Sequence, residues 1–140
     1  MRRLVIGFAV LLAALTPACT GDGLTGINGI VGTWDLATLG GVPLPDISYW
    51  NGRKEEMLSD RIVMSPNGDF TETIDYRSTT AAGEVTNISE SYEGTFTVDG
   101  RLVRLVWRGG TSGIGRLIGN TLTLPYPENP NVRTYVYVRR

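Results

Sequence analysis

The chain of 140 residues contains no histidine, one cysteine (Cys19) and one lysine (Lys54). With no imidazole, and its thiol close to the beginning, the folded part lacks the ligands of the usual zinc sites. It also lacks the base of a Ser-His or Cys-His nucleophile system. Intrachain disulfides are excluded, so stability rests on packing. A lone lysine and scattered arginines make no basic stripe for nucleic acid. No metal and no cofactor is expected, and the chain is read as a non-enzyme. The longest apolar run, residues 4–15, has 12 residues, well short of the roughly 20 that a membrane-spanning helix needs.

What is there begins with Met1-Arg2-Arg3, the apolar run and then Thr16-Pro17-Ala18-Cys19. A positive start, a short apolar stretch and small residues before a cut form an export signal, so residues 1–18 are read as a signal peptide. The cysteine that follows resembles the lipobox of bacterial lipoproteins, in which the thiol is acylated and becomes the mature N-terminus. Leu15 stands four residues before Cys19 rather than the usual three, and Thr16-Pro17-Ala18 also fits ordinary signal cleavage. The resemblance implies lipidation at Cys19. It implies a membrane-anchored protein of the cell envelope, at the outer membrane or periplasmic face in a Gram-negative cell.

Residues 19–29 are rich in Gly, Thr and Asp and read as a tether, and residues 30–140 as one domain. Without residues 1–18, which hold two of the 13 basic groups, 11 basic groups face 14 acidic ones, a net charge of −3. The domain is written in strands. Runs of Val, Ile, Thr, Tyr, Phe and Trp recur between Gly, Asn, Asp and Pro clusters, with no sustained helical period. Eight are expected, at 30–39, 57–65, 69–79, 85–91, 92–98, 101–108, 115–124 and 132–139. The fourth and fifth read either as two strands or as one bent strand, and the seventh either runs through or breaks at Gly119-Asn120. Pro66-Asn67-Gly68, Asp99-Gly100 and Gly119-Asn120 supply hairpin turns. Only 40–56 and 125–131 read as long loops. Short connections and the need to remove open edges point to an all-β, antiparallel up-and-down barrel of about eight strands.

Alternation assigns the faces. Val103, Leu105 and Trp107 point inward, as do Tyr92, Phe96 and Val98, with Gly94 marking a bulge or bend. Phe70, Ile74 and Tyr76 share a face with Glu72. An unpaired buried charge is costly, so a bulge or rim position that turns Glu72 outward is preferred over an inward carboxylate.

Gly32-Thr33-Trp34 resembles the G-x-W motif that opens lipocalin and calycin barrels, and in particular the lipocalin-like domains of small bacterial lipoproteins. The matching pieces continue with Asp35-Leu36, Gly40-Gly41-Val42-Pro43-Leu44-Pro45, Pro66-Asn67-Gly68-Asp69-Phe70 and Tyr135-Val136-Tyr137-Val138-Arg139-Arg140. The resemblance implies that Trp34 plugs the closed end and that an arginine of the last strand lies across its ring. Arg139 serves if Tyr135 and Tyr137 face that side, and Arg140 serves if Thr134, Val136 and Val138 do. These residues are structural.

Gly109-Gly110-Thr111-Ser112-Gly113-Ile114-Gly115 resembles the nucleotide-binding turn of short-chain dehydrogenases. That turn needs a following helix in a parallel βαβ unit, and residues 116–124 carry no helical signal. The family's tyrosine four residues before a lysine is also missing, since Trp50 stands there before Lys54. The segment reads as a hairpin loop.

In lipocalin-like barrels the first loop lies over the mouth, so Tyr49 and Trp50 either cover a ligand or close a filled core. Phe70, Ile74, Tyr92, Phe96 and Trp107 are the candidate lining residues. Lining a cavity and filling a core give the same alternation. Glu55, Glu56, Asp60, Glu72 and Asp75 hold the carboxylates, and no spacing selects a pair. The expected function is non-covalent binding of a small apolar or amphipathic molecule. The alternative is a protein-protein interaction or structural module with a filled barrel, using Tyr135, Tyr137, Arg133 and Arg139 as an outer face.

Overall fold

A computed structural model describes residues 26–125 and 133–140. The expected signal peptide, Cys19, most of the expected tether and most of the expected second long loop lie outside the described residues. A single helical turn, α1 (Ile27–Ile30), opens the described chain at the junction expected between tether and barrel. Ten strands follow: β1 (Gly32–Leu39), β2 (Val42–Pro43), β3 (Asp46–Trp50), β4 (Arg53–Met64), β5 (Asp69–Thr79), β6 (Val85–Asp99), β7 (Leu102–Trp107), β8 (Ser112–Ile118), β9 (Thr121–Pro125) and β10 (Thr134–Arg139).

β1 pairs antiparallel with β10 on one side and with β4 on the other. The eight strands β1 and β4 to β10 therefore form a closed antiparallel barrel, with β2 and β3 added beside β1 and β4. The fourth and fifth expected strands are one strand, β6, and the seventh divides at Gly119-Asn120 into β8 and β9. β7 pairs only with the Gly94 to Asp99 part of β6, so the outer halves of β5 and β6, with β3 and the start of β4, continue as a sheet beyond the ring.

The expected loop at 40–56 is corrected: most of it is strand. Asn51 and Gly52 both have positive φ, 48° and 74°, the backbone of a tight hairpin that an Asn-Gly pair favours. That turn folds β3 back along β4.

Gly94 is corrected as well, because pairing runs without a break through Phe70↔Gly94 and Gly94↔Trp107. Its role is close approach. A Cβ there would stand 2.3 Å from the Val106 carbonyl oxygen and 2.5 Å from Cζ of Phe70, whose ring occupies the space. The bulges lie elsewhere, between Leu36 and Thr38 in β1 and between Met57 and Ser59 in β4.

One end of the barrel is filled by Ile30, Trp34, Ile62, Met64, Val103 and Leu122, all buried. Full burial of such a side chain contributes about 1.5–3 kcal/mol. Trp34 is fully buried and its Nε1 donates to the Ile30 carbonyl at 2.7 Å, which seats α1 under the barrel. Arg139 is the arginine over the Trp34 ring, 5.4 Å from its centroid, and its guanidinium also donates to the Val31 carbonyl. Tyr137 shares its inward face. Arg140 points away and pairs with Asp35 at 2.7 Å.

Candidate functional site: an acidic, aromatic cavity

The end opposite α1 holds a cavity of about 230 Å³. Four strands supply most of its wall. Met64, Ile62 and Asp60 alternate inward along β4, and the bulge then re-aims the strand so that Met57 faces the cavity while Leu58 is exposed. β5 presents Glu72, Ile74 and Tyr76, β7 presents Trp107, and β10 presents Tyr135 and Tyr137. Asp60 stands opposite Ile74, and Ile62 opposite Glu72. The two carboxylates are thus diagonal neighbours on one face of the β4–β5 ladder, close enough for long side chains to interact.

Glu72 corrects the expectation of an outward turn. β5 has no bulge near it, and the residue is 8% exposed. The cost of burying the carboxylate is offset by Trp107, whose Nε1 donates to Oε2 at 2.6 Å. Trp107 is in turn fixed by an edge-to-face contact with Phe70, at 5.4 Å between centroids. Asp60 is 2% exposed; its Oδ2 accepts from the Tyr137 hydroxyl at 2.7 Å, and its Oδ1 has no partner.

Burial, reinforced by the charge of Glu72 and opposed by the Tyr137 bond, pushes the Asp60 carboxyl up to about 7. Burial also raises Glu72 against the hydrogen bonds from Trp107 and Tyr137. Tyr137 is held well above the ordinary tyrosine range by burial and by both carboxylates, so it remains a neutral donor. The arrangement can keep one proton between two carboxyl groups near neutral pH.

Of the residues singled out in the sequence, Ile74, Tyr92 and Trp107 line the cavity. Phe70 and Phe96 are buried in the packed core. Tyr49 and Trp50 lie on β3, 77% and 67% exposed, and neither lines the cavity. Tyr135 and Tyr137 belong to the interior, which corrects their alternative placement on an outer face.

The five carboxylates separate in the same way. Glu56 is held by Arg77 through two hydrogen bonds of 2.8 and 2.9 Å and by Lys54 at 3.0 Å, and these partners lower its carboxyl to about 2. Asp75 accepts from Ser59 at 2.6 Å. Only Asp60 and Glu72, among the five, meet in the cavity. Counting inward from Met64 through Ile62 reaches Asp60 without a break, whereas counting from Met57 does not, because the bulge between Met57 and Ser59 shifts the alternation.

The glycine segment after β7 is a hairpin, with the Trp107 amide donating to the Thr111 carbonyl at 2.9 Å and β8 following directly. Gly113 leaves room beneath Trp107, whose ring atoms lie 3.6 and 3.7 Å from where its Cβ would be. No protein-family model, no curated protein and no solved structure matches the chain.

Proposed function

We propose that the chain is an exported, lipid-anchored, lipocalin-like barrel that binds a small amphipathic molecule non-covalently in its open end. The observation that carries this reading is the cavity lined by Asp60 and Glu72, in which Asp60 keeps a buried oxygen without a partner among the described residues. A buried acceptor without a partner costs about 1–3 kcal/mol. The contact of Arg139 on Trp34 at the closed end, and the terminal Tyr-Val-Tyr-Val-Arg-Arg, support the lipocalin-like assignment. Anchoring in the envelope through Cys19 rests on the export signal.

A volume of about 230 Å³ is below the usual 300–1,000 Å³ of ligand sites. A 150 Å³ cavity holds benzene, so the occupant has roughly ten non-hydrogen atoms. A long acyl chain does not fit inside it.

A second reading, interaction with an envelope protein, is favoured by one feature. Among the described residues β3 ends the sheet with one edge unpaired and exposes Ile47, Tyr49 and Trp50, the kind of edge that accepts another strand. Native mass spectrometry of the chain lacking residues 1–19, purified without detergent, separates the two. A reproducible small added mass supports the binder. A bare chain that retains a protein partner only while Trp50 is intact supports the second reading and counts against the first.

A further inference from the structure

We propose that the occupant of this cavity is a small organic cation, a primary ammonium on an aryl or short alkyl body, held between Asp60 and Glu72. The inference rests on the ligand-binding reading above and deepens it. Two carboxylates from adjacent strands face the same space, and none of the described residues lining it is a lysine or arginine that would balance them. Oδ1 of Asp60, in a residue that is 2% exposed, is without a partner. An ammonium brings three donors and no acceptor, so it satisfies Oδ1 and has donors left for Glu72. The rest of the wall suits the same ligand. Trp107, Tyr76, Tyr92 and Tyr135 present aromatic rings, whose faces attract a cation and whose edges pack an apolar body.

An anion would meet two like charges, and a neutral molecule would leave the pair unbalanced. A bare metal ion is a poorer fit, because calcium takes six to eight oxygens and the described residues form no group of three or more metal-binding side chains. The groups facing Asp60 are Glu72 and Tyr76 of β5, Tyr92 of β6, and Tyr135 and Tyr137 of β10. The hydroxyls of Tyr76, Tyr92 and Tyr137 are all held above the ordinary range. They stay neutral between pH 5.5 and 8.5, which leaves the Asp60 carboxyl, pushed up to about 7, to titrate there. A cation binds better once it has ionised.

The test is calorimetric titration of the protein with phenethylamine and with its neutral counterpart 2-phenylethanol. At pH 8 the amine is expected to bind at least about tenfold more tightly, as a charge-assisted bond implies. Asp60→Asn and Glu72→Gln are each expected to shrink the ratio of amine to alcohol affinity. In the unaltered protein the amine's affinity rises about tenfold from pH 5.5 to 8.5 and the alcohol's stays level, a readout that does not depend on the variants folding. If the alcohol binds as tightly as the amine, or if the preference survives both substitutions, the cation assignment is overturned while the barrel remains a binding site. If neither probe binds at millimolar concentration, both readings are overturned.

Discussion

Arg139 lies over the indole of Trp34, its guanidinium carbon 5.4 Å from the ring centroid, and the two are direct register partners across β10 and β1. One contact thereby joins the first and last strands of the ring. Because Arg139 also holds the Val31 carbonyl and Trp34 holds that of Ile30, the pair fixes α1 beneath the barrel and closes that end. The space left for chemistry is then at the other end.

Trp34→Ala is expected to cost about 3–5 kcal/mol, as for other large buried aromatics, and Arg139→Ala about 0.5–2 kcal/mol. Urea denaturation measures both. A Trp34→Ala variant with the parent's midpoint would contradict the plug.

Gly94→Ala is expected to destabilise by about 1–3 kcal/mol, the usual effect of overpacking. The added methyl meets both a backbone carbonyl at 2.3 Å and the Phe70 ring at 2.5 Å, and the carbonyl cannot swing aside. Phe70→Leu should recover part of the loss by removing one of the two obstacles. An unaltered melting temperature for Gly94→Ala alone would sink this account.

Stability should fall as pH rises from about 5 to 7.5. Asp60 in the unfolded chain ionises near 3.8, whereas the folded chain keeps its proton to about 7. Between these values the folded state binds more protons, so each pH unit removes up to about 1.4 kcal/mol. Glu72, also raised, acts in the same sense. Glu56, held down to about 2 by Arg77 and Lys54, acts the other way, and its contribution is lost as pH drops below 4.5. The maximum therefore lies on the acid side of neutrality, and Asp60→Asn should flatten the decline above it. Urea midpoints across pH 4 to 8 decide this, and a parent protein that gains stability from pH 5 to 7.5 refutes it.

Trp107→Phe removes the donor to Glu72 while keeping an aromatic ring beside Phe70. A loss of about 1–3 kcal/mol is expected at pH 8, where Glu72 is ionised and left short of a partner. The loss should shrink as pH falls and the carboxyl, whose affinity for a proton is raised by burial, takes up its own. A loss that does not change with pH would mean that the indole acts by packing alone.

The ring of strands was legible because its turns are chemically explicit. Gly68, Gly100 and Gly119 all adopt positive φ at the expected hairpin tips. Asn51-Gly52 carried the same signal, yet the charged run Arg53-Lys54-Glu55-Glu56 reads as loop and conceals the strand it begins. The burial of Glu56 depends on Arg77, 21 residues away in sequence. The inward position of Glu72 was hidden for a similar reason, since its indole partner Trp107 is 35 residues distant. Asp60 was harder still. Counted from Met57, the bulge puts Asp60 on the wrong face, and only the count back from Met64 and Ile62 places it beside Glu72. Local pattern fixes which residues alternate; only the closed ring decides which polar side chains meet.

The most direct measurement is a crystal structure of the protein purified from cells without detergent. Density is expected for a compact molecule in the cavity, in contact with the carboxyl groups of Asp60 and Glu72 and packed against Trp107. A cavity filled by the rings of Tyr76 and Tyr135, or occupied only by water, would contradict this expectation.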